Sequence, residues 1–154
     1  MKIWVFTKTR HVEKISKFLK TLDCSFQIFT IHNLPQKIEP FDLGVSYCYS
    51  RLITDPLLST PRMGFINFHP APLPEFKGGD PYTEAIQKKV TKWGVTAHYM
   101  NHIYDKGPII KVLTFPLHEP PTSREEIGAL AHYFNFINFK DVISLCLASG
   151  RHHL

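Results

Sequence analysis

The chain has 154 residues, 44% of them hydrophobic and 20% charged, which is enough for one domain with a sizeable core and too short for two. Its formal charge of +5 comes from lysines and arginines scattered along the chain, a pattern that suits small anionic ligands and fits nucleic acid poorly. Cys24, Cys48 and Cys146 are odd in number and lack CxxC spacing, so neither a disulfide framework nor a zinc site is suggested. No apolar stretch approaches the roughly 18 residues of a membrane helix. Residues 1–10 carry Lys2, Lys8 and Arg10, and a reduced, cytoplasmic setting is expected.

Met1–Thr7 contains KIWVFT, a β-branched and aromatic run of the kind buried on both faces of a sheet. VEKISKFLKTL (12–22) sets Val12, Ile15, Phe18, Leu19 and Leu22 on one helical face, and FQIFTI (26–31) returns to strand character, giving a β-α-β unit. FDLGVSYCY (41–49) and MGFINFH (63–69) are further strand candidates. DPYTEAIQKKV (80–90) has a proline directly after a capping aspartate and predicts a helix. GVTAHYM (94–100) alternates as a strand does, and GPIIKVLTFPL (107–117) reads as a strand ending before Pro116. A last helix is expected within 122–149, opened by a capping-box spacing from Ser123 to Glu126, with Ile127, Leu130, Ala131 and Phe134 at helical intervals. The fold class that follows is α/β: an open, mostly parallel, Rossmann-like sheet flanked by helices, with ligands at the carboxyl ends of its strands.

FINFHPAPLPEFKG (65–78) places Asn67 and His69 where a strand gives way to a loop stiffened by Pro70, Pro72 and Pro74. Either residue alone is weak evidence, since asparagine is common in turns and a strand-end histidine usually serves structure. A second polar cluster changes the balance: in GVTAHYMNHIYDKGPII (94–110) a strand carrying His98 runs into a loop carrying Asp105. A carboxylate beside an imidazole raises its proton affinity and fixes its orientation, and an amide with an imidazolium can hold a developing oxyanion.

INFHPAPLPEFKGGDPYTEAI followed by WGVTAHYMNHIYDKGPII resembles the formyltransferase family that uses 10-formyltetrahydrofolate. That family includes glycinamide ribonucleotide transformylase, methionyl-tRNA formyltransferase and the nucleotide-sugar N-formyltransferases. The match covers about residues 41–117, with His69 two, His98 31 and Asp105 38 positions after Asn67, as the family pattern requires. The resemblance implies a catalytic set of Asn67, His69 and Asp105, with His98 as a second histidine beside the cofactor. It implies formyl transfer without a metal from 10-formyltetrahydrofolate to a primary amine, in which Asn67 and a protonated His69 stabilise the oxyanion and Asp105 supports that proton. It also implies a pterin pocket formed by Tyr49, Arg51, Leu52 and Ile53 with His98, Asn101, His102, Ile103 and Tyr104, Arg51 being placed to meet the glutamate tail.

Gly-Asp-Pro in FKGGDPY is similar to the nucleotide-sugar branch, which assigns Lys77, Gly78, Gly79 and Asp80 to the acceptor and makes an amino sugar of a nucleotide-linked sugar the favoured partner. The first βα turn, FTKTRHVEK, has no glycine-rich phosphate cradle, which counts against a ribonucleotide acceptor bound there. The short connection before FDLGVSYC suggests a catalytic core, residues 1–154, lacking one βα unit of longer relatives. A hydrolase releasing formate and a non-catalytic folate-binding remnant stay open as alternatives, and so does a homo-oligomer.

Overall fold

The computed structural model describes residues 1–103 and 105–149. The buried N-terminal run forms β1 (Lys2–Thr7). A 3-10 turn (Thr9–His11) then leads into α1 (Val12–Leu19), which buries Ile15 and Leu19, and into β2 (Ser25–Phe29). The helix expected to reach residue 22 stops at Leu19, because Thr21 N–H donates to Phe18 O and the chain must turn to set Ser25 N–H on Met1 O. Residues 30–42 join β2 to β3 (Leu43–Tyr47) without a helix, and β4 (Phe65–His69) follows. After α2 (Pro81–Gln87) come β5 (Lys92–Tyr99), β6 (Ile109–Pro116) and the long α3 (Arg124–Ser149).

The six strands make one sheet in the order β2-β1-β3-β4-β5-β6. The first three pairings are parallel, whereas β4 with β5 and β5 with β6 are antiparallel. The chain thus changes direction of travel at β1, the kind of switch point where open α/β sheets bind ligands. Contrary to expectation the last strand includes Pro116, which pairs with Lys92; β6 is the outer strand, where a missing N–H is tolerated.

Side chains alternate across β4. Ile66 and Phe68 face α3 and pack with Phe139, Val142 and Ile143, while Phe65 joins Trp4, Phe6, Phe41, Ile53 and Leu58 on the other face. Burial of each such side chain contributes about 1.5–3 kcal/mol. Helix α3 crosses β4, β5 and β6. Its start departs from an ideal capping box: Ser123 Oγ accepts from Glu126 N–H, but the Glu126 carboxylate turns to Thr122 N–H and Oγ1. The Asn67-Phe68-His69 stretch is the last part of β4, not a turn, so strand pairing sets the directions of these side chains.

Candidate active site

Asn67 and His98 are register partners across the antiparallel β4–β5 pair, so the spacing of 31 residues becomes side-by-side contact on one face. A register shift between Ala97 and His98 in the β5–β6 pairing bends the strand at the histidine. His98 is buried; its Nδ1 lies 2.9 Å from Tyr99 O, and a carbonyl can only accept, so this nitrogen carries a proton. Its Nε2 lies 3.2 Å from Asn67 Nδ2 and 3.6 Å from Asp105 Oδ1. In the neutral ring Nε2 accepts from the Asn67 amide.

His69 is 6% exposed at the end of the same strand. Its Nε2–H donates to Phe76 O at 2.9 Å, which leaves Nδ1 facing Asp105 Oδ2 at 4.0 Å. Burial lowers the pKa of His69; the Phe76 carbonyl and the Asp105 charge act in the opposite sense without overcoming it. A proton on the resting His69 ring is therefore less favoured than on a free imidazole, because desolvation outweighs the carboxylate. Burial also disfavours the Asp105 carboxylate, but the neighbouring His98 and His69 rings, which favour its charge whenever they carry a proton toward it, and the Gly78 N–H, 3.3 Å from Oδ2, hold its carboxyl below the usual range.

Asp105 reaches this position by an indirect route. Because β5 runs against β4, it ends beside Ile66, at the far end of β4 from His69, and Asp105 must come back over the face that holds Asn67. Met100 N–H donates to Phe65 O and Tyr99 N–H to Pro108 O, pinning the base of the loop. Gly107 passes so close to the Tyr99 carbonyl that a Cβ there would overlap it, and Asp105 itself has φ +52°.

A cavity of about 830 Å³ opens beside these residues, with Asn67, His69, His98 and Asp105 in its wall. Tyr49, Arg51, Leu52, Ile53, Asn101, His102 and Ile103 line one part. Leu52 and Ile103, both in this lining, are apolar yet 73% and 58% exposed. Tyr104 lies outside the described residues. Gly78 and Gly79 also line the cavity, whereas Lys77 and Asp80 do not. Asp80 instead caps α2 through Thr83 N–H and pairs with Arg124 at 2.7 Å. Sequence reasoning did not single out Lys8, Arg10, Cys48, Tyr82, Arg124 and His132, which line the remaining wall. Lys8 and Arg10 follow β1, where a switch-point rule could have found them; Arg124 and His132, on α3, are brought in by tertiary packing alone.

The pattern of the formyl transferases matches residues 32–138. Methionyl-tRNA formyltransferase of Geobacillus sp. (strain WCH70) is 38% identical over 81 residues, 53% of this chain and 26% of that protein, so the chain spans about a quarter of the relative's length. Two solved structures share the fold. Phosphoribosylglycinamide formyltransferase from Streptococcus pneumoniae TIGR4 has a TM-score of 0.71 at 21% identity, covering 94% of this chain and 97% of that one. The formyltransferase PseJ from Anoxybacillus kamchatkensis, in complex with UDP-4,6-dideoxy-4-formamido-L-AltNAc and tetrahydrofolate, has a TM-score of 0.68 at 22% identity, covering 98% and 75%. With well over half of its residues under the family pattern, on the family's fold, the chain belongs to the formyl transferase family.

Proposed function

We propose that this chain transfers a formyl group from 10-formyltetrahydrofolate to a primary amine carried on an anionic small molecule, with an amino sugar of a nucleotide-linked sugar as the favoured acceptor. The observation that carries the reading is the convergence of Asn67, His69 and Asp105 in one cavity wall from two segments 36 residues apart. The wall of Tyr49, Leu52, Ile53 and Ile103 would hold the pterin and Arg51 the glutamate tail; the donor, when bound, supplies a formyl group on N10. PseJ, whose crystals hold tetrahydrofolate and a nucleotide-linked formamido sugar, supports both parts of the reading by analogy of fold. Lys8, Arg10 and Arg124 in the remaining wall support an acceptor bearing phosphate.

Asn67 donates an amide N–H to the formyl oxygen as negative charge develops there. His69 starts neutral and takes a proton on Nδ1 as the attacking amine loses one; the resulting imidazolium pairs with Asp105 and gives that proton to the leaving N10 as the formyl–N10 bond breaks. Asp105, held ionised, orients the ring and stabilises its charge. His98 fixes the Asn67 amide from behind. Incubation with 10-formyltetrahydrofolate and a panel of nucleotide-linked amino sugars, followed by folate absorbance and product mass, tests the reading. A formylated sugar is expected. Formate without a formylated amine would identify a hydrolase, and folate binding without turnover a non-catalytic remnant.

A further inference from the structure

We propose that His11, Cys48 and His132 form a binding site for a transition metal ion of the zinc class, separate from Asn67, His69 and Asp105. One ring nitrogen of each histidine and Cys48 Sγ lie within 4.8 Å of one another. Cys48 Sγ is 3.8 Å from His132 Nδ1, near the roughly 3.5 Å between two donors on one tetrahedral zinc with bonds of about 2.0 and 2.3 Å. The donors come from three elements: the 3-10 turn after β1, the residue that follows β3, and α3. Cys48 adopts φ +52°, which an L residue rarely takes, and its sulfur is held by Asn135 Nδ2 at 3.7 Å.

Binding requires the Cys48 thiol to release its proton to solvent as the sulfur–metal bond forms, a change that a divalent ion drives. Lys8, Arg10 and Lys14 help to hold the thiolate but repel the ion, and an anion in the fourth position relieves that repulsion. Cys48 and His132 line the cavity, so this fourth position faces it. Two imidazoles, one thiolate and an open position form a donor set suited to zinc or cobalt(II).

Titration of the purified chain with Co²⁺ tests the site independently of formyl transfer. One equivalent should give a thiolate-to-cobalt charge-transfer band in the near ultraviolet with tetrahedral d–d bands, displaced by Zn²⁺. C48S should abolish the charge-transfer band, H132Q should weaken binding by about tenfold or more, and the C24S/C146S double variant should keep both. Arg10 is exposed and its Nε donates to His11 Nε2 at 3.2 Å. R10A removes that competitor together with one repelling charge, so Co²⁺ should bind it roughly tenfold more tightly. No band at stoichiometric Co²⁺, a band that survives C48S in a chain shown by circular dichroism to be folded, or binding to R10A no tighter than to the parent chain would each overturn the proposal.

Discussion

Asn67 and Asp105 share one ring nitrogen: His98 Nε2 lies 3.2 Å from the amide nitrogen of the first and 3.6 Å from a carboxylate oxygen of the second. A neutral His98, its Nδ1 proton committed to Tyr99 O, can accept from the Asn67 amide but cannot donate to Asp105. A proton on Nε2 would satisfy Asp105 and require the Asn67 amide to turn its oxygen to the ring. His98 therefore decides which end of the Asn67 amide is left for substrate. On the proposed mechanism H98Q should lower kcat by about 10- to 100-fold with a smaller change in KM for folate, because it loosens the amide and leaves Tyr49, Leu52, Ile53 and Ile103 in place. An unchanged kcat in the folded variant would remove His98 from that role.

His69→Asn keeps a polar side chain but removes the group that takes the proton. Turnover per folded molecule should fall by about 10² or more while the affinity for a folate analogue stays within a few-fold. Near-native rates would make the Asn-Phe-His stretch scaffold.

Asp105→Asn should move the acid limb of the pH–rate profile downward as well as slow the reaction. The Asp105 charge raises the proton affinity of a His69 that burial has lowered, so losing it lets His69 remain neutral to lower pH. Asp105 itself is depressed, so the stability it contributes is present above the usual carboxylate range and lost as pH falls through its lowered folded value. Urea midpoints at pH 7 and pH 3 should therefore differ less in D105N than in the parent chain. An acid limb that shifts upward would contradict the coupling.

If the Tyr49–Ile53 and Asn101–Ile103 segments hold the pterin, a folate analogue should stabilise the chain with no acceptor present. At about 100 times Kd the gain is roughly 2.7 kcal/mol, or about 5–10 °C in Tm. L52D should reduce that shift, since it places a charge where a flat apolar ring would dock. A saturating analogue that leaves Tm unmoved would point to a different ligand.

Gly107→Ala forces a methyl group into the Tyr99 carbonyl and so disturbs the loop that delivers Asp105. The cost should be on the order of 2–3 kcal/mol in urea unfolding, with turnover lost more steeply than folded protein. A G107A chain with parental stability and rate would mean that the loop can relax without moving Asp105.

Acid should destabilise the fold before most carboxylates titrate. His11 and His132 stay neutral when folded, at about 3 and 4, but bind protons near pH 6.5 when unfolded. A depressed histidine removes stability as pH falls below its unfolded value, and the loss continues down to the folded one. Between pH 6.5 and 4.5 the two together should cost on the order of 2 kcal/mol after allowance for solvent screening, roughly 4–8 °C in Tm. H132Q should flatten that slope, as melting curves across this range would record.

Periodicity and residue type were enough to read six strands and three helices in order from the chain. The β-branched runs at 2–7 and 43–47 can bury both faces, and the apolar stripe of 12–19 has helical spacing. The positions of Asn67, His69, His98 and Asp105 were legible through their resemblance to the formyltransferase pattern; in the fold the β4–β5 register turns the spacing of Asn67 and His98 into contact. Direction was not legible. Nothing local in GVTAHYM says that β5 runs against β4, so nothing local says that the Asp105 loop must fold back to reach His69. Nor could composition foresee that burial would disfavour a proton on His69 beside a carboxylate, because desolvation depends on what the whole chain packs around the ring. The cluster of His11, Cys48 and His132 has no spacing signature, since its donors lie on three separate elements that meet only when α3 packs across the sheet. Local propensity determined the elements; long-range packing decided which side chains share a dielectric or a hydrogen bond.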